Sequence, residues 1–419
     1  MGCVTEPNTE RPIVIIGGGL AGGNAAATLR DEGFAGPVVL ISREPGVPFG
    51  RPPLSKTYLR SEEKLDGWYV RPAGWYADHD VERRSEEVAA VDPAAHTVTL
   101  GSDEGEELSY QKLLIATGGR NRRLGVPGAD LPGLHYLRTV AECDAIKQEA
   151  VPGRRAVVVG SGFIGCEVTA SLTQLGVHVT TVFPGQVPLE TALGGEVGAV
   201  VGAFHRAKGV QLLPGNQVTA FEGTERIEAA VTASGQRIPC DFAVAGIGIT
   251  PEVPDGLAVA QENGILTDEL CQTSAPDVYA AGDVANTLHP LFGRVRVEHY
   301  NNGEKQGAAA ARSMLGSTAP YDYVYSFWSD QYEHKIEYVG HVDKWDQFVV
   351  RGSLADGRLI GFYLVGGVVR AAIGLDRGGD PELDLNGEMA ACARLVSERA
   401  QPAPAVLVDE RTDLWSLTR

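Results

Sequence analysis

The chain has 419 residues, with 36 lysines and arginines against 54 aspartates and glutamates. That length suggests two or three domains with cores of their own, and 43% hydrophobic with 21% charged residues excludes a disordered or fibrous chain. A net charge of −18 repels phosphate, so general affinity for nucleic acid or an anionic membrane is excluded.

Met1-Gly2-Cys3 opens like an acylation signal, but Glu6 stands where that pattern requires Ser or Thr, so residues 1–10 are expected to be a terminal arm. No segment supplies the roughly 18 uncharged apolar residues of a membrane span, and the N-terminus has no basic-then-apolar leader. A cytoplasmic location without a membrane partner is therefore expected. Ile13-Val14-Ile15-Ile16 reads as a fully buried strand and the alanine-rich run to Arg30 as a helix. Between them lies Gly17-Gly18-Gly19-Leu20-Ala21-Gly22. In such a cradle Gly17 permits the tight turn, Gly19 lets a pyrophosphate approach the backbone and Gly22 lets helix and strand pack closely. The helix start then offers free N–H groups and a partial positive charge. A second strand from Val38 to Ser42 is followed by Glu44, at the spacing of a carboxylate that accepts from an adenosine ribose.

The arrangement recurs at Ala156-Val157-Val158-Val159, then Gly160-Ser161-Gly162-Phe163-Ile164-Gly165, then Cys166-Glu167 and a helix to Leu175. Two cradles imply two nucleotide ligands, FAD and a nicotinamide dinucleotide, because a dehydrogenase using nicotinamide alone needs one. The strand from Phe242 to Ile249 closes the second nucleotide region, with Gly248 among its expected contacts. Beyond about residue 323 the pattern turns to short strands, 335–340, 347–352, 358–364 and 368–374, which read as an antiparallel sheet, followed by a helix over 388–399. The six cysteines, Cys3, Cys143, Cys166, Cys240, Cys271 and Cys392, include no redox pair or zinc knuckle, so no metal is expected.

With these motifs the chain resembles the two-dinucleotide flavoproteins, and among them the oxygenase-coupled ferredoxin reductases and the apoptosis-inducing-factor-like oxidoreductases. The resemblance runs from about residue 11 to 400. Its most specific element is Arg51-Pro52-Pro53-Leu54-Ser55-Lys56, similar to the family's flavin-contacting loop. Leu113 to Gly118, with Ala116 and Thr117, is similar to the strand that returns to the flavin. Val278 to Asp283 is similar to the second flavin signature, in which Gly282 and Asp283 reach the ribityl chain. Val297-Glu298-His299-Tyr300 resembles the start of the helix that faces the flavin pyrimidine edge, where a helix N-terminus would stabilise developing negative charge. Ser326-Phe327-Trp328-Ser329-Asp330-Gln331-Tyr332 resembles the opening of the family's C-terminal domain, with Trp328 near the flavin edge. The resemblance further implies that Arg120 reaches a flavin phosphate and that Lys56 and Glu167 meet beside flavin N5, each keeping the other charged.

The fold class expected is α/β. Two Rossmann-like domains, the second inserted in the first, precede a C-terminal α+β domain with an antiparallel sheet. The boundaries are 11–118 with 250–322 for FAD, 119–249 for NAD(P)H and 323–400 for the interface domain, leaving 401–419 as a second arm. The strand from Val177 to Val182 ends in Phe183-Pro184-Gly185-Gln186, without the acid that marks an NAD site or the arginine that marks an NADP site. Glu190 is the substitute acid, and NADH is favoured over NADPH for want of clustered positive charge. The segment from Pro48 to Leu59 has no cysteine, so electrons must leave the flavin without a thiol relay.

The resulting expectation is a reductase that takes hydride from NAD(P)H and passes electrons singly to a ferredoxin-type [2Fe-2S] protein, as a monomer or homodimer. Ferredoxins are usually acidic, so a net −18 calls for a local basic cluster, drawn from Arg51, Arg83, Arg84, Arg294, Arg296 and Lys335. The alternatives are a direct reductase or oxidase of a quinone, oxygen or a small biosynthetic molecule, which needs no iron–sulfur protein, and a redox-sensing protein, which reoxidises slowly.

Overall fold

The computed structural model describes residues 11–101 and 105–419. The acylation-like start and the first terminal arm lie outside the described residues. The chain divides into two compact units. Unit 1 holds the described residues up to Arg51, Leu65–Arg120 and Thr250–Tyr323; unit 2 holds Pro52–Lys64, Asn121–Ile249 and Val324–Arg419.

Unit 1 is built on a five-stranded parallel sheet in the order Val278–Ala280, Lys112–Ile115, Ile13–Ile16, Val38–Ile41, Val81–Arg84. The central strands are buried at every position, as their β-branched sequences require. Helix Leu20–Asp31 packs against helix Tyr300–Met314 at very short range: a Cβ on Gly307 would lie 2.2 Å from the Ala21 carbonyl oxygen.

Unit 2 contains a second five-stranded parallel sheet, in the order Gln211–Leu213, His178–Val182, Arg155–Val159, Phe242–Ala245, Leu134–Tyr136. It also contains the antiparallel sheet Ser326–Gln331, His334–Gly340, Val368–Leu375, Arg358–Val365, Gln347–Ser353. Leu193, Val197 and Val201 of helix Glu190–Ala207 share one apolar core with Ile336, Tyr338, Leu359, Tyr363 and Ile373 of that sheet. This shared core makes one compact unit of two stretches expected as separate domains.

Two further features differ from the sequence reading. Pro52–Lys64, expected within the first nucleotide domain, belongs to unit 2. There the Ser171 hydroxyl donates to the Ser55 carbonyl at 2.7 Å and Tyr58 donates to Asp144 at 3.0 Å. Residues 401–419, expected to be an arm, carry helix Pro404–Val408 and a helical turn at Leu414–Leu417. Leu407 and Leu414 are buried, and Arg351 donates to the carbonyls of Leu407, Asp409, Glu410 and Thr412. One buried guanidinium thus satisfies a segment whose sequence has no strong periodicity. Among the described residues, no helix is long and apolar enough to cross a membrane.

Candidate functional site

In unit 1, helix Leu20–Asp31 starts from an extended Gly19 with no side-chain cap, which leaves its first N–H groups open to a ligand. Gly17 has φ +121°, and a Cβ there would lie 2.1 Å from the Ala116 carbonyl oxygen. A Cβ on Gly22 would lie 1.9 Å from the Gly17 carbonyl oxygen, whereas one on Gly19 would meet nothing within 4 Å. The backbone closes tightly behind the turn and leaves space in front of it, which fits a pyrophosphate. Leu20 and Ala21 form the first helical positions.

The remaining residues expected around this cradle are placed as follows. Glu44 follows strand Val38–Ile41 and lies 2.7 Å from the Arg51 guanidinium. Thr117 donates to the Glu252 carbonyl, Gly118 has φ +70° and Arg120 is exposed on strand Gly119–Asn121. Gly282, with φ +78°, donates its N–H to Gln306 at 2.8 Å and begins the turn that carries a half-buried Asp283. Helix Tyr300–Met314 starts from an extended His299, again without a side-chain cap. Glu298 is exposed and ion-paired to Arg296 at 2.8 Å. The Tyr300 ring stands edge-on to Trp68.

In unit 2 the same backbone solution recurs. Gly160 has φ +102° and a Cβ there would lie 2.4 Å from the Gly246 carbonyl oxygen; one on Gly165 would lie 2.3 Å from the Gly160 oxygen. Around Gly162 nothing lies within 4 Å, and helix Phe163–Gln174 starts there uncapped. Ile164 is exposed, Phe163 stands edge-on to Phe327, and Gly248 has φ +89° with open space around it.

Glu167 lies in the first turns of that helix and is 3% exposed. Its carboxylate meets the Lys56 ammonium at 2.6 Å and accepts from the Ser55 hydroxyl at 2.5 Å and the Ser329 hydroxyl at 2.7 Å. A buried ion pair is tolerable only when its remaining hydrogen-bonding capacity is satisfied, as it is here. Trp328 and Asp330 flank Ser329 on strand Ser326–Gln331. Burial pushes the Asp330 carboxyl above its ordinary value, with Lys56 and Lys335 opposing that rise. The expected meeting of Lys56 with Glu167 is thus present as geometry inside unit 2.

At the end of strand His178–Val182, Phe183 is a core residue. The Glu190 carboxylate accepts from the Gln186 backbone N–H at 2.8 Å and lies so close over the turn that a Cβ on Gly185 would be 2.6 Å from it.

Residues 11–307 match the family model described as pyridine nucleotide-disulphide oxidoreductase, and residues 326–418 match the reductase C-terminal model. The chain belongs to the pyridine nucleotide-disulphide oxidoreductase family. It is 41% identical over 85% of its length to the 5,5'-dehydrodivanillate O-demethylase ferredoxin reductase subunit of Sphingobium, covering 88% of that protein. It is 34% identical over 97% of its length to the biphenyl dioxygenase system ferredoxin--NAD(+) reductase component of Paraburkholderia xenovorans, covering 98% of that protein. Its structure is similar to putidaredoxin reductase in the covalent complex with putidaredoxin, with a TM-score of 0.91, 33% identity and 98% of each chain covered.

This oxidoreductase uses FAD and a nicotinamide dinucleotide, and its two cradles fit those groups. The disulphide of the family name has no counterpart among its described residues. Cys143, Cys166, Cys240, Cys271 and Cys392 are all buried free thiols, and burial pushes each above its ordinary pKa, Cys143 and Cys271 to about 12 and Cys240 to about 11. The six cations singled out for partner docking are already engaged. Arg51, Arg84, Arg296 and Lys335 are ion-paired with Glu44, Glu82, Glu298 and Glu337, while Arg83 and Arg294 donate to backbone carbonyls. Sequence reasoning missed Ser55 and Ser329 as partners of Glu167. The signal for Ser329 was strand alternation, which turns it to the opposite face from Trp328.

Proposed function

We propose that the chain takes hydride from NADH and passes electrons one at a time to a ferredoxin-type [2Fe-2S] protein of an oxygenase system. The observation that carries this reading is the buried Lys56–Glu167 pair at 2.6 Å, at the head of the second cradle's helix. Relatives matched over nearly their whole length are named as ferredoxin reductase components, which supports the choice of acceptor. FAD, when bound, supplies the conversion of one two-electron delivery into two single-electron departures.

Residues 11–118 and 250–322 are the FAD-binding stretch of this proposal, with Gly17, Gly19, Gly22, Glu44, Asp283 and the start of helix Tyr300–Met314 as its contacts. Residues 119–249 bind NADH through Gly160, Gly162 and Gly165, and Glu190 supplies the acid missing at Phe183. Residues 323–400 form the interface domain, with Trp328 at the flavin edge. Lys56 and Glu167 orient the groups between which hydride passes; an ammonium fixed by a carboxylate with three donors has little freedom to wander. Five buried thiols, none in a disulfide among the described residues, suit a reducing cytoplasm.

Anaerobic stopped-flow reduction with NADH and NADPH, followed by reoxidation with a [2Fe-2S] ferredoxin, a quinone or air, tests the proposal. NADH should reduce the flavin and the ferredoxin should reoxidise it fastest. Lys56→Ala should lower the limiting reduction rate about 100-fold. Reduction of Lys56→Ala at the parental rate would remove the ion pair from the reaction, and preferred reoxidation by quinone or air would replace the acceptor.

A further inference from the structure

The second oxygen of Glu167 leads into a buried polar chain that the reaction as proposed does not use. Ser329 donates its only hydroxyl hydrogen to this carboxylate oxygen at 2.7 Å. The group that approaches Ser329 from Gln331, at 3.2 Å, must therefore be a donor, which assigns it as the side-chain amide nitrogen. The Gln331 amide oxygen then faces His205 Nε2 at 3.1 Å, so Nε2 carries the imidazole hydrogen. Nδ1 of a neutral imidazole is left as an acceptor, and the Tyr332 hydroxyl lies 3.0 Å from it and donates.

Each assignment follows from the one before, beginning at the carboxylate. His205 is 1% exposed, and burial pushes its pKa down to about 4, so it is neutral at any working pH and its tautomer is fixed. Ser329 and Gln331 are buried as well. All donors thus point the same way, from Tyr332 through His205, Gln331 and Ser329 to Glu167. Hydrogen bonds aligned head to tail polarise and strengthen one another, and His205, Gln331 and Ser329 are buried while Tyr332 is half-buried.

We propose that Tyr332, His205, Gln331 and Ser329 form a one-way hydrogen-bond chain that positions Glu167, and through it the Lys56 ammonium, for hydride transfer. The role rests on the hydride reading above; the chain itself does not. Without the Ser329 hydroxyl, one carboxylate oxygen loses its buried donor, and the carboxylate can rotate about the oxygen that Ser55 and Lys56 hold. Ser329 and Gln331 are positioning residues on this account, because neither is asked to touch a reacting atom.

The experiment uses the FAD-loaded protein. Nitrogen-15 NMR of the imidazoles should show His205 as the neutral Nε2–H tautomer without titration from about pH 5.5 to 8.5, in the parent and in Lys56→Ala alike. In anaerobic stopped flow, Ser329→Ala should lower the limiting rate of flavin reduction about tenfold and leave the apparent NADH affinity within about twofold. Ser329→Thr, which restores the hydroxyl, should recover most of that rate. If the added methyl distorts the site, Gln331→Met, of similar volume, should still give about a threefold loss. Ser329→Ala added to Lys56→Ala should have no further effect. An Nδ1–H or titrating His205 overturns the chain. Parental rates in both Ser329→Ala and Gln331→Met, beside a slow Lys56→Ala, overturn its role alone. A parental rate in Lys56→Ala overturns the hydride reading instead, while the tautomer still decides whether the chain exists.

Discussion

The two dinucleotide cradles are nearly the same object in backbone, yet they stand in different electrostatic surroundings. In each, the first glycine turns with positive φ against the carbonyl of the residue that follows a neighbouring strand, the third leaves under 2.5 Å for an added Cβ, and the second faces open space. Two positions beyond the third glycine, unit 1 has Asn24, whose amide donates back to Leu20 of its own helix at 2.9 Å. Unit 2 has Glu167, which reaches Lys56. Among the described residues, every buried lysine, arginine, aspartate or glutamate lies in unit 2, namely Lys56, Glu167, Glu337 and Arg351. One backbone solution therefore serves two tasks. In the function proposed above, unit 1 holds FAD with glycines, helix ends and half-buried carboxylates, while unit 2 adds fully buried charges, which are expensive to bury and are kept where geometry matters.

The largest effects should come from separating the roles of glycines within a cradle. Gly22→Ala and Gly165→Ala force a methyl against a carbonyl oxygen and should each cost roughly 2–4 kcal/mol of stability. Gly19→Ala and Gly162→Ala place the methyl in open space at backbone angles that alanine adopts, so both should melt within about 2 °C of the parent in the absence of ligand. Their cost should fall on binding: Gly19→Ala should lose FAD on gel filtration, while Gly162→Ala should keep FAD and bind NADH at least tenfold more weakly, an order-of-magnitude expectation for a blocked phosphate cradle. Equal stability losses at all four positions would break the division of roles within each cradle, and losses that differ between Gly22→Ala and Gly165→Ala would break the equivalence of the two.

The cradles were legible in the sequence because glycine spacing reports a backbone requirement, and backbone requirements are local. The strands from 335 to 374 were legible for the same reason, since alternation and turn residues lie within a few positions of one another. Less legible was anything decided by partners distant in sequence. Pro52–Lys64 joins unit 2 through Glu167 and Ser171, more than a hundred residues away. The tail is ordered by Arg351, which lies in a strand and donates to four carbonyls beyond residue 406. A pair such as Lys56 with Glu167 was reached only through family resemblance, because spacing alone says nothing about which charges meet.

A smaller effect should appear at the ends of the second strands, where the cradles differ in how an acid is supplied. Glu44 lies in the turn just past strand Val38–Ile41, whereas in unit 2 Phe183 is buried and Glu190 returns from the next helix to the turn. Glu190→Gln keeps the side-chain shape and should narrow the preference for NADH over NADPH about tenfold, read as the ratio of the two kcat/KM values. Glu44→Gln should leave that ratio alone and weaken FAD retention. If Glu190→Gln does not change the ratio, preference resides elsewhere in unit 2.

The concentration of buried charge in unit 2 should also make that unit the pH-sensitive one, and Glu337 isolates the effect. Burial pushes its carboxyl up to about 7 from an ordinary 4.5, against the pull of Lys335 at 2.6 Å. Between those two values the unfolded chain has released this proton and the folded chain retains it. The folded state therefore binds more protons, and its stability falls as pH rises from about 4.5 to 7. Glu337→Gln keeps a neutral group of the same shape and removes this slope at the cost of the Lys335 ion pair. Because Lys335 is nearly half exposed, that pair is worth little. The variant should melt close to the parent near pH 5 and above it at pH 8, by roughly 1–2 kcal/mol. Melting curves that stay parallel across this range would mean that the folded protein already holds Glu337 ionised and that Lys335 offsets its burial in full.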